Sequence, residues 1–401
     1  MFRDLEIRGY RGFEYLRVPG LKRVNLFVGR NNAGKTSLLE AVELLASGSH
    51  QTLQQAASRR LELFVEMVGG NPLQLQQHPD IRYAFFGRQP HTDSHLQVTG
   101  TRDNGAERSV AIGGEEMRSR ERQADVPVLG PSGPTGPGTS IPSQEQPTLG
   151  MLLGASGPTG PTGPSAPISL QEQPTVGRML GWRVDGVEMH VMLRILQNSW
   201  IVDVADLFSW QQMQRLSINP HGVYGGGPLP FLTALWSKAV MRRDDEQRVL
   251  EAVQVVEPDI ESIAMLGAQV PRLYATLKGV SERVPIGNLG EGVARLLALV
   301  CLLVDAKRGI LLVDEIDTGL HVRVMEKLWR QVFDVARKFD VQVFATTHSE
   351  DCLHGLARTL EQEPAYKEDA ALHRIDKGRE ETVVNDGDGI IGALDAGIEV
   401  R

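Results

Sequence analysis

A glycine-rich loop lies between a short apolar strand and a helix near the start of this chain, and it limits the folds that the chain can adopt. The segment VNLFV (Val24–Val28) has the composition of a buried strand, and it runs directly into GRNNAGKTSLLEAVELL. Gly29, Gly34, Lys35 and Thr36 match the pattern G-x-x-x-x-G-K-[ST] in the strand–loop–helix context that the pattern requires. Strands and helices also alternate along the rest of both flanks, so we predict an α/β fold.

The spacing of this loop suits the binding of phosphate groups. Glycines let successive backbone N–H groups surround phosphate oxygens, and the following helix adds its positive N-terminal end. We expect Lys35 to reach the β- and γ-phosphates and the Thr36 hydroxyl to hold Mg²⁺, so the loop predicts a chain that binds a nucleoside triphosphate together with Mg²⁺. The alternative is a glycine-rich turn with a surface lysine. The predicted nucleotide-binding residues of the loop are Gly29, Arg30, Asn31, Asn32, Ala33, Gly34, Lys35, Thr36 and Ser37.

An acidic pair follows a second apolar strand. The segment GILLVDEIDTGLH places four apolar residues, Ile310–Val313, directly before Asp314 and Glu315. We predict that Asp314 binds Mg²⁺ through water, and that Glu315 is the catalytic residue that polarises the water attacking the γ-phosphate. The alternative is a strand end with two solvated acids.

A polar tip also ends the next strand-like segment, VQVFATTHS, which includes His348. In an open α/β sheet, ligands bind at the carboxyl ends of the strands. His348 follows Glu315 by 33 positions, which leaves room for one helix and one strand. A lone histidine is more often structural, but this placement favours contact with the γ-phosphate or the attacking water. We therefore predict a catalytic role for His348 beside Glu315 and Lys35.

The segment NLGEGVARLLAL contains a second glycine-rich turn, which opens onto an apolar helical run. Gly290 and Gly292 permit close approach of the backbone to a ligand, and the helix expected from Val293 offers its N-terminus to an anion. The alternative is the capped start of a core helix and nothing more.

Composition and charge restrict the class of protein. The 401-residue chain is 41% hydrophobic and 23% charged, which is ordinary for a globular protein, and its net charge of −8 gives no global basic field for nucleic acid. Two cysteines, Cys301 and Cys352, cannot form a disulfide framework. No signal peptide is recognisable, and the longest apolar run is far shorter than the roughly 20 residues that span a bilayer. We predict a cytoplasmic protein with no membrane partner.

The middle of the chain has a different composition. Residues 125–177 contain GPSGPTGPG and GASGPTGPTGPS, each followed by a QEQPT block, and the blocks repeat with an offset of 27. Runs of three or four Gly-X-Y triplets are too short for a collagen triple helix. We therefore predict a duplicated, disordered insert with no chemistry of its own.

Four motifs together resemble a known family. The loop at 29–36, NLGEG at 288–292, LLVDE at 311–315 and TTHS at 346–349 resemble, in this order, the ABC-type ATPase heads of the SMC, RecF and OLD (overcoming lysogenization defect) group. The segment LEIRGYRGFEYLRVPGLKR near the start and the closing DAGIEVR are also similar to that group. The likeness is closest to bacterial stand-alone OLD-like "AAA family" ATPases, many of them encoded in or beside phage-defence operons.

The resemblance implies a domain organisation. An ABC-type head has a mixed sheet and a helical lobe, here interrupted by the disordered insert. Residues 1–124 would form the N-terminal part of the ATPase domain, with the P-loop at 29–36. Residues 178–401 would form its C-terminal part, with the helical lobe, the signature loop, the acidic Walker B strand and the histidine switch.

The resemblance also assigns a role to the second glycine-rich turn. In such heads the signature loop closes on the ATP held by the opposite subunit, so Gly290, Glu291 and Gly292 would bind nucleotide in trans across a homodimer. The sequence departs from the usual Leu-Ser-Gly-Gly, because Gly290 stands at the serine position. His321 stands where the D-loop aspartate is usual, and OLD-like ATPases have similar sequences in this segment.

Two further features of such heads have no unique match. Arg8 and Arg11 suit contact with the nucleotide and a solvated strand edge equally well. The metal-contacting glutamine of the Q-loop has four candidates: Gln74, Gln76, Gln77 and Gln89.

We predict an Mg²⁺-dependent ATPase that dimerises head-to-head around ATP. It would act as a nucleotide-controlled switch for a separately encoded effector, such as a toprim-like or other nuclease, in bacterial anti-phage defence. The alternative is a RecF-like ATP-dependent DNA-binding module in DNA repair. A transporter ATPase is a third interpretation, and it would be expected to carry the serine signature, a D-loop aspartate and a clear Q-loop.

Overall fold

The computed structural model of the chain describes residues 1–67, 75–88, 95–113, 176–196, 199–202, 220–223, 232–241, 243–267 and 270–395. The predicted insert at 125–177 lies outside these residues, except that positions 176 and 177 already belong to a strand. The closing segment DAGIEVR lies outside them after its first residue.

The described residues contain strands that build two large sheets and two small ones. In chain order they are β1 (Phe2–Tyr10), β2 (Phe13–Val18), β3 (Val24–Val28), β4 (Leu63–Met67), β5 (Leu75–Pro79), β6 (His95–Arg102), β7 (Glu107–Gly113), β8 (Val176–Val184), β9 (Val187–Leu196), β10 (Ser199–Val202), β11 (Pro220–Val223), β12 (Ile260–Leu266), β13 (Arg272–Leu277), β14 (Val284–Pro285), β15 (Ile310–Val313), β16 (Gln342–Thr346), β17 (Ala370–Arg374) and β18 (Val383–Asp386).

Helices lie between and beside these strands. The α-helices are α1 (Lys35–Ser47), α2 (His50–Arg59), α3 (Leu232–Ala239), α4 (Arg243–Gln254), α5 (Glu291–Asp305), α6 (Met325–Phe339), α7 (Glu350–Gln362) and α8 (Gly387–Asp395). Short 3-10 turns cover Ile81–Ala84, Phe86–Arg88, Ile286–Leu289, Val322–Val324 and Pro364–Asp369. No helix in the described ranges is long and apolar enough to cross a membrane.

The sheet that carries the predicted motifs has the strand order β11-β15-β16-β3-β17-β18. Its first five strands are parallel, and β18 is antiparallel to β17. Every residue of β3, β15 and β16 is buried, because helices cover both faces of a parallel sheet, and this explains why their sequences are mostly apolar. In register, Val313 pairs with Ala345 and Thr346 pairs with Phe27, so the carboxyl ends of these three strands meet at one edge.

The second large sheet is antiparallel, with the order β10-β9-β8-β7-β6-β1-β2. Its buried side chains alternate along the strands and share a core with the apolar residues of α1. Helix α1 is therefore enclosed between the two sheets. Representative members of this core are Leu5, Ile7, Leu38, Leu39, Val98, Val110 and Trp182.

A helical lobe packs on the other side of the parallel sheet. Helices α3, α4, α5 and α6 share one apolar core with the strands, and α5 lies at its centre with eleven of its fifteen residues buried. The predicted α/β class, with a mixed sheet and a helical lobe, is confirmed. Contributors from these helices include Trp236, Val249, Leu297, Val300, Leu303 and Trp329.

Candidate nucleotide site

The glycine-rich loop at 29–36 joins β3 directly to α1, as the sequence predicts. Gly34 has φ 102° and stands at the N-terminus of α1, where no side chain caps the first N–H groups. A side chain at Gly34 would also overlap the buried Phe13 ring, so this position requires glycine for both its backbone and its space. The uncapped N–H groups leave the helix start open to an anion.

Lys35 lies against its own loop. Its Nζ donates to Gly29 O at 2.7 Å and to Arg30 O at 3.1 Å, and the residue is only 6% exposed. Burial lowers the pKa of Lys35, while the nearby carboxylates of Asp314 and Glu315 oppose that shift. The ammonium is therefore held where the strand ends bring the acidic pair close to the loop.

Asp314 connects two of the strand ends through hydroxyl groups. Thr36 Oγ1 donates to one carboxylate oxygen at 3.0 Å, and Thr346 Oγ1 donates to the other at 2.6 Å. Asp314 is 9% exposed, so these bonds offset much of the cost of burying its charge. Thr346 was not assigned a role from the sequence, although it lies in the quoted TTHS segment; only the strand register reveals its contact.

The oxygens of Thr36 and Asp314 suit Mg²⁺. This ion takes oxygen ligands and is usually bound by one or two carboxylates together with substrate phosphates. Among the described residues there is no group of three or more His, Cys, Asp or Glu side chains placed to hold a metal ion. The hydroxyl of Thr36 and the carboxylate of Asp314 fit a cation that also takes phosphate oxygens as ligands.

Glu315 has an unusual backbone and is held at several points. Its φ of 53° is uncommon for a residue with a side chain. Its N–H donates to Thr346 Oγ1 at 2.8 Å, its carbonyl accepts from Arg295 Nη2 at 2.9 Å, and its Oε2 accepts from Thr318 Oγ1 at 3.1 Å. Glu315 is half-buried next to Asp314, the predicted metal-binding carboxylate, where a base could act on a bound water.

His348 lies at the same sheet edge, two residues beyond the end of β16, and it is exposed. The adjoining Thr347 donates to Asp317 Oδ1 at 2.5 Å, so the segment after β16 is tied to the turn that follows the acidic pair. This placement agrees with the predicted edge, and the catalytic role of His348 stays a prediction.

The second glycine-rich turn differs in one respect from its prediction. Helix α5 begins at Glu291, not at Val293, and Gly290 precedes it with φ 99° and ψ 156°. Gly290 and Glu291 are exposed. The predicted start at Val293 was wrong, because Glu291 and Gly292 of the glycine-rich turn are already helical.

Gly292 has a contact within its own chain. A Cβ atom at this position would lie 2.9 Å from Gly319 O, in the turn that follows the acidic pair. The N-terminal turn of α5 and the turn at 317–320 therefore approach each other backbone to backbone. His321, at the expected D-loop position, accepts a hydrogen bond from Arg323 N at 3.2 Å and so begins the next 3-10 turn.

Arg11 and Arg8 have different surroundings. Arg11 is buried, with Nε 2.7 Å from Glu40 and Nη1 2.8 Å from Glu62, whereas Arg8 is exposed and pairs with Glu6. Arg11 nevertheless borders an open cleft of about 720 Å³ beside the P-loop, together with Asn32, Ser37, Arg60, Tyr83 and Phe86.

The predicted Q-loop glutamine has no clear position. Gln76 and Gln77 are exposed on β5, in a two-stranded sheet with β4, and Gln74 and Gln89 lie outside the described residues.

Two family models match the chain. One, described as "AAA ATPase domain", matches residues 1–86. The other, described as "AAA domain, putative AbiEii toxin, Type IV TA system", matches residues 205–351. The first match contains the P-loop, and the second contains the glycine-rich turn at 288–292, the acidic pair and the TTHS segment.

Individual proteins are similar to the chain over different lengths. An "ATP/GTP phosphatase" of Helicobacter pylori is 21% identical over 372 residues, which cover 90% of this chain and 89% of that protein. The "DNA replication and repair protein RecF" of Stutzerimonas stutzeri is 30% identical over 123 residues, which cover 30% of this chain and 29% of RecF. An "SMC head domain from Thermotoga maritima" aligns over 96% of this chain and 98% of that chain, with 10% identity and a TM-score of 0.43.

Proposed function

We propose that the chain works as an SMC/RecF-like P-loop ATPase, and we assign the residues that carry ATP hydrolysis and the process that the hydrolysis controls. The observation that carries the proposal is a continuous set of hydrogen bonds at one sheet edge. It runs from Thr36 through Asp314 and Thr346 to the backbone of Glu315. The P-loop strand, the acidic strand and the strand between them thus present their polar ends together.

In the proposed site the triphosphate lies along the P-loop, with its β- and γ-phosphates at Lys35 and the uncapped start of α1. Thr36 and Asp314 would hold Mg²⁺, which when bound neutralises charge on the phosphates. Glu315 accepts a proton from the water that attacks the γ-phosphate. The cleft beside the P-loop, bordered by Arg11, leaves room for the rest of the nucleotide.

Substitution of Glu315 tests the assignment of the base. Glu315→Gln should bind ATP with unchanged affinity and hydrolyse it at least roughly 10² times more slowly, because a positioned base contributes about this factor. Glu361→Gln, the same change at an exposed position on α7, is the matched control and should keep native activity. Phosphate release and binding of a fluorescent ATP analogue give the two measurements. Hydrolysis by Glu315→Gln at the native rate would rule out this base.

The proposal extends to a dimer that closes around ATP. It is supported by the family resemblance and by the exposure of Gly290 and Glu291. Two copies would meet head-to-head, and each turn at 288–292 would contact the ATP on the other subunit. Hydrolysis would open the dimer. Light scattering of Glu315→Gln should give a dimer mass with ATP and a monomer mass with ADP; a monomer in both states would reject the dimer.

The open and closed forms would control a separately encoded effector, such as a toprim-like or other nuclease, in anti-phage defence. This part rests on the likeness to OLD-like ATPases, and the description of the matched model as a putative toxin of a toxin–antitoxin system is compatible with it. Expression of the chain with its neighbouring gene should reduce phage plating, and Lys35→Ala should abolish that reduction. Phage protection that persists in Lys35→Ala would mean that defence does not depend on nucleotide binding by this chain.

The second candidate function is an ATP-dependent DNA-binding module. It is favoured by the segments that match RecF proteins, although the matched share is under one third of the Stutzerimonas stutzeri protein, and the net charge of −8 weighs against it. The anisotropy of a fluorescent duplex, measured with Glu315→Gln at low salt, separates the two candidates. ATP-dependent binding that weakens as salt is added would support the DNA module.

A further inference from the structure

Arg295 is a buried cation that contacts the acidic pair and that no motif includes. It lies on α5, one turn beyond the glycine-rich turn at 288–292, and is 8% exposed. Its neighbours along the helix, Leu296 and Leu297, belong to the apolar core. A guanidinium in such a place needs strong compensation, because burial of an unpaired charge is costly.

The compensation comes from the acidic end of β15. Arg295 Nη2 donates to Glu315 O at 2.9 Å. Burial lowers the pKa of Arg295, and the carboxylates of Glu291, Glu315, Asp317 and Asp314 oppose this shift. Within the described part of the chain, the hydrogen bond of this guanidinium goes to a backbone carbonyl and not to a carboxylate.

The accepting carbonyl belongs to a strained residue. Glu315 has φ 53°, and a residue with a side chain keeps such a backbone only where its surroundings hold it. Thr346 holds the preceding peptide through the Glu315 N–H, and Thr346 O accepts from Ile316 N at 3.0 Å. The Glu315 carbonyl faces the opposite element, α5, and Arg295 is the group that fixes it.

The close approach of Gly292 to Gly319 adds a second link between the same two elements. A Cβ at Gly292 would lie 2.9 Å from Gly319 O, and a Cβ at Gly319 would lie 3.3 Å from Glu291 Cγ. The start of α5 therefore packs closely against the turn after Glu315. The turn at 288–292 and the residues that follow Glu315 are in direct contact.

We infer that Arg295 is a positioning residue for hydrolysis: from α5 it fixes the backbone of Glu315, so that the carboxylate faces the attacking water, and it links the turn at 288–292 to the base of the same subunit. This inference rests on the proposed role of Glu315. A purely structural Arg295, which only balances the four acids around it, is the competing explanation.

The two explanations differ in a double-mutant cycle with Glu315→Gln. If Arg295 acts through Glu315, Arg295→Met should lower kcat by roughly 10² and leave the Kd for a fluorescent ATP analogue within about twofold, because the loss is that of a positioned base. Arg295→Lys, which keeps the cation and a donor, should recover part of this loss. In the Glu315→Gln background, Arg295→Met should cause no further loss, since residues that act as a unit are non-additive.

Arg108 provides the matched control. It is also a buried arginine that donates to backbone carbonyls, from Nε to Leu45 O at 2.6 Å and from Nη2 to Ala46 O at 2.9 Å, but at the other end of α1. Arg108→Lys should lower the melting temperature and leave kcat within about twofold.

Three results would overturn the inference. The first is a native kcat for Arg295→Met while Glu315→Gln is inactive. This result would reject the role of Arg295 but would leave the proposed role of Glu315 in place. The second is an equal loss from Arg295→Met in both backgrounds, or failure of both Arg295 variants to fold, which would make the residue structural. The third is native hydrolysis by Glu315→Gln, which would reject the proposed base and the positioning role with it.

Discussion

The two glycine-rich turns of this chain begin helices in nearly the same way and face different surroundings. Gly34 precedes α1 with φ 102°, Gly290 precedes α5 with φ 99°, and neither helix has a side chain that caps its first N–H groups. The ψ angles differ, at 12° and 156°. The backbone at Gly34 is left-handed, so the chain before α1 forms a tight loop around the helix start. The backbone at Gly290 is extended in ψ, so the chain before α5 runs away from the helix start.

The surroundings explain what each turn can do alone. The P-loop lies beside Asp314, and its Lys35 and Thr36 already have partners within the chain. The turn at 288–292 contacts its own chain through Gly292, while Gly290 and Glu291 are exposed. An open helix start is therefore not by itself a binding site. The first turn is completed by the acidic strand, and the second would be completed from outside the subunit.

Mixing two inactive variants gives the largest expected effect on this comparison. Lys35→Ala should lose hydrolysis by roughly 10² or more, because it removes a preorganised charge from the phosphates. In the proposed dimer, Gly290→Asp should also be inactive, because it would direct a carboxylate at the phosphate bound by the partner subunit. Mixed dimers would contain one whole site, and with random exchange roughly a quarter of native activity should return. Phosphate release by the mixture measures this.

The controls for this experiment follow from the geometry. Gly290→Ala carries the same backbone strain of about 1–3 kcal/mol without the charge, and it should keep more activity than Gly290→Asp. Gly292→Asp is unsuitable, because its side chain would collide with Gly319 in its own subunit. Lys35→Ala mixed with Glu315→Gln should give no recovery, since both residues serve the same site. No recovery with Gly290→Asp either, despite verified subunit exchange, would mean that this turn serves its own subunit.

The sequence predicted the local parts of this site well. The strands at 24–28 and 310–313, the P-loop between strand and helix, and the α/β class follow from apolar runs and turn residues that lie within a few positions of each other. The helix expected from Val293 began two residues early, because glycines next to an apolar run do not mark which residue first becomes helical.

The non-local contacts could not be predicted in the same way. Thr346 bonds to Asp314 only because β16 lies between β15 and β3, and strand order depends on pairing between distant segments. Arg295 resembles any helical arginine in the sequence, and its role depends on α5 lying against the residue that follows β15. The Q-loop glutamine had no spacing that favoured one candidate, and its four candidates remain without an assignment.

Lowering the pH should reduce the free energy of unfolding through a histidine that packs against the P-loop strand. His373 on β17 pairs with Phe27 of the P-loop strand and stacks on its ring at 4.9 Å. It is fully buried, and burial lowers its pKa to about 3. Its Nε2 has no hydrogen-bond partner among the described residues, while Thr382 Oγ1 lies 3.5 Å from Nδ1. The folded chain therefore keeps His373 neutral.

The sign follows from linkage. Below the ordinary histidine pKa of 6.5, His373 is protonated in the unfolded chain but stays neutral in the folded chain until about pH 3. The free energy of unfolding therefore decreases as the pH falls from 6.5 towards 3. The free energy of unfolding should decrease by about 1.4 kcal/mol per pH unit from this group. His373→Phe keeps a ring over Phe27 and should show a shallower dependence in urea titrations between pH 6.5 and 5. Equal slopes for the two proteins would contradict this.

The smallest effect is expected from the third glycine-rich region of the sequence, the insert predicted at 125–177. Removing residues 126–173 keeps all of β8, which starts at Val176. Ile112 of β7 pairs with Trp182, so the remaining connection must span about five strand residues, or roughly 17 Å. Residues 114–125 and 174–175, joined directly, reach much further.

Shortening this connection from the 62 residues at 114–175 should stabilise the chain slightly, because each doubling of a flexible loop costs about 0.6 kcal/mol in closure entropy. We expect a gain of about 1 kcal/mol, a melting temperature that is unchanged or a few degrees higher, and native ATPase activity. Calorimetry and phosphate release check both. A deletion that lowers either quantity would mean that the Gly/Pro-rich repeats make contacts of their own, and that glycine-rich sequence in this chain has a third use beyond the two helix starts.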